Sequence, residues 1–261
     1  MKIAICGLGR AGKELLRTIC DEEDISVVGA FCRLNSDKAG MDIGMLAKLN
    51  PMGINAVCVT EAERVLGEEK PDVVIDFSNP AATKMLLMAC KKHNIPAVVC
   101  TTGFTEDEIA WMKECVYGED FGIVYAPNVT VGINVLLSML KSATRGLPYY
   151  DYHITEIHHN KKADSPSGTA KKIATLLERE LHLEPDEKVP VHSVRAGGFV
   201  GVHEIMIVGE HDRITISHES FSRQAFAKGA IEAARFIRGQ TGWHEMEDVV
   251  TCRENVIKVK V

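Results

Sequence analysis

The sequence has no uninterrupted run of about eighteen apolar residues, the length a membrane-spanning helix requires. Its opening residues, MKIAICGLGR, pass from a short apolar run straight into glycines, which is the pattern of neither a secretory signal nor a transit peptide. No CxxC pair occurs: eight cysteines are scattered at 6, 20, 32, 58, 90, 100, 115 and 252. Such spacing reads as small buried hydrophobes in a reducing cytosol, and argues against a disulfide framework. Positive charge is in deficit, with 30 Lys and Arg against 36 Asp and Glu and a net charge of -6, so the summed field repels nucleic acid and anionic membranes. Internal repeats and low-complexity segments are missing too. These absences leave the expectation of a soluble, cytoplasmic protein with no nucleic acid or membrane as partner.

What is present is ordinary for a globular chain: 261 residues, 46% hydrophobic and 25% charged, enough to bury the core of one large or two ordinary domains. Up to residue 128, short β-branched runs (KIAIC, ISVVGAF, VVIDF, AVVCT, GIVYAP) alternate with helix-period segments such as PAATKMLLMACKKH and TEDEIAWMKECV. Continuous apolar runs of this kind are strands covered by helices on both faces, so the alternation predicts βαβ units in an α/β, doubly wound parallel sheet. Beyond Asn128 the texture changes. DYHITEI alternates as a half-buried strand, and VHSVRAG, VGVHEIMIVG and RITISHES follow one another without intervening helices, which predicts a mostly antiparallel sheet. SRQAFAKGAIEAARFIRG then returns to helix, with Ala227, Ala230, Ile231, Ala234 and Ile237 on one face. The expected organisation is a dinucleotide-binding domain of residues 1–128 plus 223–261, with an α+β domain of residues 129–222 inserted into it.

Gly7, Gly9 and Gly12 form GxGxxG between the first strand and a helix. In that setting the segment Gly7, Leu8, Gly9, Arg10, Ala11, Gly12 suits a dinucleotide: tight turn, close backbone approach to a diphosphate, and close helix packing at the positive end of the helix dipole. A Gly-rich turn with no ligand is the competing reading. Counting twenty residues from Gly12, where an acid would bind a ribose 2'-OH, lands on Cys32 followed by Arg33. An Arg that can pair with a 2'-phosphate favours NADPH, with NADH possible. DFSNP (76–80), TTGF (101–104) and APN (126–128) end later strands, where doubly wound sheets bind ligands.

The densest chemistry lies in EIHHNKKADSPSGTAKK, residues 156–172. His158 and His159 end a strand, Lys161 and Lys162 follow, and Ser167, Gly168 and Thr169 open a helix whose N–H groups and hydroxyls suit a carboxylate or phosphate. From 158 to 172 there are four lysines and one aspartate, so an acidic protein carries a local cationic segment. Histidine and lysine can move protons near neutral pH. A zinc site at His153, His158 and His159 is disfavoured, because adjacent strand residues face opposite ways and the lysines repel a cation. No metal is expected.

These motifs, with TTGF, APNVTVGINVL, HHNKKADSPSGTA, VRAGGFVGVHE and SRQAFAKGAIEAARF in order over nearly the whole length, make the chain similar to the bacterial 4-hydroxy-tetrahydrodipicolinate reductases, also called dihydrodipicolinate reductases. The resemblance implies a Rossmann-like domain, an inserted domain whose sheet builds a homotetramer, and NAD(P)H-dependent reduction of 4-hydroxy-tetrahydrodipicolinate to tetrahydrodipicolinate in lysine and diaminopimelate synthesis. It implies His158 as acid/base and Lys162 as proton donor, with His159, Lys162, Ser167, Gly168 and Thr169 on the carboxylates of a small dicarboxylate substrate. Thr101, Thr102, Gly103, Ala126, Pro127, Asn128, Arg223 and Phe226 are implied at the cofactor. Three departures stand out: GLGRAG is one residue shorter between its first glycines than the family loop, Cys32 replaces an acid, and Cys100 replaces a glycine. The departures at Cys100 and in the glycine loop leave open a paralogous reductase for another imine or heterocyclic carboxylate, and a non-catalytic nucleotide-binding regulator is the rival of a different class.

Overall fold

The computed structural model describes residues 1–254, so the end of the segment expected to return to the first domain lies outside the described residues. In chain order the elements are β1 (Lys2–Cys6), α1 (Arg10–Ile19), β2 (Ser26–Cys32), α2 (Ile43–Ala47), β3 (Val57–Cys58), α3 (Ala62–Glu69), β4 (Val73–Asp76), α4 (Pro80–Lys92), β5 (Ala97–Val99), α5 (Glu106–Val116) and β6 (Gly122–Tyr125). Then come α6 (Val131–Gly146), β7 (Asp151–His158), α7 (Gly168–Glu180), β8 (Val191–Arg195), β9 (Gly201–Val208), β10 (Arg213–Ser220), α8 (Gln224–Ile237), β11 (Gly242–Glu245) and α9 (Met246–Glu254). Contacts divide the chain into two units, Met1–Thr130 with Phe226 onward, and Val131–Ala225.

The first unit is a seven-stranded sheet in the order β11-β6-β5-β4-β1-β2-β3, and every strand pair is parallel. Read from β3, the first six strands have the Rossmann order, and the order reverses between β1 and β4. The apolar runs are continuous because both faces are covered. Ile3 and Ile5 of β1 join one core cluster with Leu15, Leu16 and Ile231, while Ala4 and Cys6 join the other with Leu66, Leu86 and Leu87. Local signals fix the helix starts: the Asn79 side chain accepts from Ala82 N ahead of Pro80, and Thr105 and Glu108 close a capping box on α5. The alternation in the sequence did not reveal α2, β3 or β11. Five, two and four residues are too few to show a period, and β11 (GWHE) has a single large apolar residue.

The second unit carries a four-stranded sheet in the order β10-β9-β7-β8. Two of its pairs are antiparallel, as expected; β7 and β8 are parallel because α7 crosses over between them. Tyr152 and Ile154 of β7, with Ile205 and Ile207 of β9, pack against Ile133, Leu137 and Leu140 of α6 and Ile173 and Leu177 of α7. The alternate residues Ile157, Val202, Met206 and Val208 lie half-buried on the opposite face, beside exposed Val194.

Candidate active site

The reversal point of the first sheet sets the turn after β1 beside the turn after β4. Gly7 takes φ +91°, and a Cβ there would stand 2.4 Å from Phe77 O. A Cβ on Gly12 would stand 1.8 Å from Gly7 O, so the helix can pack this closely only on glycine. Gly9 differs, because a Cβ would meet nothing within 4 Å. Its side faces open space at the start of α1, whose first intrahelical bond runs from Lys13 N to Gly9 O. The N–H groups of Arg10, Ala11 and Gly12 therefore have no helix carbonyl to meet. A cleft of about 310 Å³ opens here, lined by Gly7, Gly9, Cys32, Arg33, Ser36, Asp37, Lys38, Phe77, Ser78 and Asn79. Free N–H donors, a positive helix end and two cations fit the diphosphate and phosphate groups of a nicotinamide dinucleotide. Lys38, which donates from Nζ to Leu8 O at 2.9 Å, and the neighbouring Ser36 and Asp37 were not singled out in the sequence.

Behind this cleft Asp76 is fully buried at the end of β4. It accepts from Thr83 Oγ1, from Thr101 Oγ1 at 2.9 Å and from Ser78 N at 3.0 Å. Burial pushes its carboxyl above the usual range, against the pull of these donors. Thr101 is thus committed to bracing, since its hydroxyl also accepts from Ser78 N at 2.9 Å, whereas Thr102 and Gly103 beside it are exposed. Ala126 is buried, Pro127 half-buried, and Asn128 Oδ1 accepts from Thr130 N at 3.1 Å. Neither the 101–103 nor the 126–128 residues line the 310 Å³ cleft. Cys100 lies in the core with its thiol pushed up, first by burial and then by Asp76, and Cys32 donates to Val57 O at 3.3 Å. Phe226 packs on the core of the first unit, while Arg223 is exposed in the second.

In the second unit the histidine-lysine segment is organised by one carboxylate. Glu156, two residues before His158 on β7, shares its face by the period of a strand and is fully buried. One oxygen meets His158 Nδ1; the other accepts from Arg195 Nη2 at 2.7 Å and Ser167 N at 3.2 Å. Burial pushes the Glu156 carboxyl up, but the Arg195 guanidinium, with the other donors, brings it down to about 2. His158 is held below its usual value by burial, which outweighs the raising effect of Glu156. His203 on β9 stands edge-on to His158, centroids 5.2 Å apart, with Nε2 3.2 Å from Ser167 Oγ. Burial, then His158, lower it to about 4.

Ser167 caps α7, its hydroxyl accepting from Ala170 N at 3.2 Å, so Gly168 and Thr169 form the first helical turn. Lys162 is ion-paired with Asp164 at 2.8 Å, and Nδ1 of His159 is buried with no protein partner. His158, His159, Lys162, Ser167, Gly168 and Thr169 are therefore brought onto one strand end, its loop and one helix start. Glu156, Arg195 and His203 were missed. An acid at i-2 from a strand histidine was the available signal for Glu156; Arg195 and His203 arrive only through the register of β8 and β9 on β7.

Residues 1–129 match the family model described as dihydrodipicolinate reductase, N-terminus, and residues 132–250 match its C-terminus counterpart. The chain is 38% identical over 268 aligned positions to the 4-hydroxy-tetrahydrodipicolinate reductase of Ralstonia nicotianae, covering 96% of this chain and 99% of that one. Identity to the enzyme of the same name from Methanocaldococcus jannaschii is 33%, over 91% and 92% of the two chains. Among solved structures, the dipicolinate-bound dihydrodipicolinate reductase from Paenisporosarcina sp. TG-14 aligns with a TM-score of 0.77 at 25% identity, over 95% and 98%.

Proposed function

The chain belongs to the dihydrodipicolinate reductase family, and from that premise we propose that it reduces 4-hydroxy-tetrahydrodipicolinate to tetrahydrodipicolinate, with loss of water, in lysine and diaminopimelate biosynthesis. It is an NAD(P)H-dependent oxidoreductase. When bound, the reduced nicotinamide supplies the hydride. Gly7 to Gly12 hold the diphosphate at the start of α1, and Arg33, aided by Lys38, takes a 2'-phosphate, which favours NADPH. Asp37 on the same cleft is an acid that can receive a ribose hydroxyl, so NADH remains usable.

His158 serves as the acid/base and Lys162 as a proton donor to the reduced substrate. Lys162 must leave Asp164 to reach it, exchanging one carboxylate partner for another. His159, Lys162, Ser167, Gly168 and Thr169 hold the two substrate carboxylates; the unpartnered Nδ1 of His159 and the opening turn of α7 support that assignment. The observation that carries the reading is that Glu156 ties His158 and the Ser167 backbone to one carboxylate, so acid/base and anion-holding turn share a single anchor. We extend the reading to a cytoplasmic homotetramer formed through the open face of the second sheet, where Ile157, Val194, Val202, Met206 and Val208 stand among His153, Thr155 and Glu204.

The test is NADPH oxidation with substrate generated in situ by the preceding synthase of the pathway. Oxidation that depends on the synthase product supports the reading; NADPH bound but never consumed would return the protein to a regulatory role, and turnover only with other imines to a paralogue.

A further inference from the structure

We propose that Glu156 is a positioning residue of the reaction: it holds His158 with a proton on Nδ1, so that Nε2 is the atom that exchanges a proton with substrate. The inference rests on the reading of His158 as the acid/base. Glu156 has 0% exposure, and its second oxygen already receives two donors, Arg195 Nη2 and Ser167 N. An ionised carboxylate can only accept, so Nδ1 must be the donating nitrogen of the ring. Arg195, 2.7 Å from the second oxygen, keeps the carboxyl ionised where burial alone would push it towards the protonated form.

The far nitrogen has been left room. A Cβ on Gly201, the first residue of β9, would stand 2.9 Å from His158 Nε2. Glycine keeps that side of the ring clear. The charged and titratable groups around His158 are Glu156 on its own strand, Arg195 on β8, His203 on β9 with His218 behind it on β10, and Lys162 on the loop that follows. His203 is neutral at working pH, and Lys162 and Arg195 disfavour the imidazolium, so Glu156 alone among these favours it. In the cycle, Nε2 takes up a proton from the solvent as the imidazolium forms and passes it to the substrate as the ring returns to neutral. The Nδ1 proton stays on the ring.

The direct test is the ¹⁵N spectrum of histidine-labelled free enzyme near pH 7.5, with the His158 signals assigned by their loss in His158→Gln. A protonated Nδ1 and an unprotonated Nε2 are expected; the reverse tautomer in the wild type overturns the proposal whatever any variant does. In Glu156→Gln, kcat should fall by about 100-fold. The limb of its pH profile set by His158 should move to lower pH by about 1, with Glu156→Asp recovering part of that displacement. Should Glu156→Gln not fold, Glu156→Gln with Arg195→Met removes both buried charges, with the same fall in kcat expected and a smaller displacement of the limb to lower pH, because Arg195 opposed the imidazolium. An unchanged pH profile in a folded variant refutes the proposal. A wild type that turns over no substrate refutes the proposed function instead, and the tautomer can still be read.

Discussion

At the scale of single residues, Gly12 and Gly9 differ in what a methyl group would meet. Gly12→Ala forces a Cβ against Gly7 O, so it should destabilise the protein by roughly 1–3 kcal/mol and weaken dinucleotide binding with it. Gly9→Ala touches no protein atom and should cost less than about 1 kcal/mol of stability, yet weaken NADPH binding about tenfold or more by standing where the diphosphate approaches. Thermal melts and NADPH titrations of the two variants check this: equal losses in both properties would mean that Gly9 also serves only the packing. The glycine spacing was legible in the sequence because a strand-to-helix turn packed this closely admits only glycine at Gly7 and Gly12. Glu156 was passed over for the opposite reason. A lone acid in a strand is usually solvated, and only burial together with Arg195 from β8 gives it a role.

At the scale of elements, the proposed choice of cofactor belongs to the cleft between the turns after β1, β2 and β4. Arg33→Ala should raise KM for NADPH about tenfold while leaving KM for NADH nearly unchanged, as loss of a charge-assisted contact to the 2'-phosphate would do. A parallel rise with both cofactors would reduce Arg33 to a general contact. The second sheet has its own pH behaviour. His203 titrates near 4 in the folded protein against an ordinary 6.5, so between those values the unfolded chain binds more protons and stability falls as pH falls. Glu156, held near 2 against 4.5, adds stability that is present above about 4.5 and lost as pH falls through about 2. Melting temperature should therefore decline from pH 6.5 to 4, and His203→Gln should flatten the decline; an unaltered slope would contradict it. Long elements were readable from periodicity, as in β7, whose buried Tyr152 and Ile154 alternate as the sequence indicates. Pairing was not: the parallel β7–β8 contact that delivers Arg195 follows from a crossover, which no local pattern encodes.

At the scale of the whole molecule, a net charge of -6 coexists with a cationic segment at 158–172. The glutamate two residues before His158 sharpens that contrast, since Glu156 pairs with Arg195 in the interior and so does not offset the lysines of that segment. The proposed homotetramer would bury Ile157, Val194, Val202, Met206 and Val208 on the open face of the second sheet, and on that proposal Met206→Lys should give smaller species by light scattering. A mass that stays tetrameric would place the interface elsewhere. The central claim, that this chain is a reductase working through His158 and Lys162, is tested most directly by synthase-coupled NADPH oxidation in the wild type beside His158→Gln and Lys162→Ala. The account predicts robust turnover in the first and kcat lower by roughly 10²-fold or more in each variant, with melting temperatures little changed. Full turnover in both variants would contradict it.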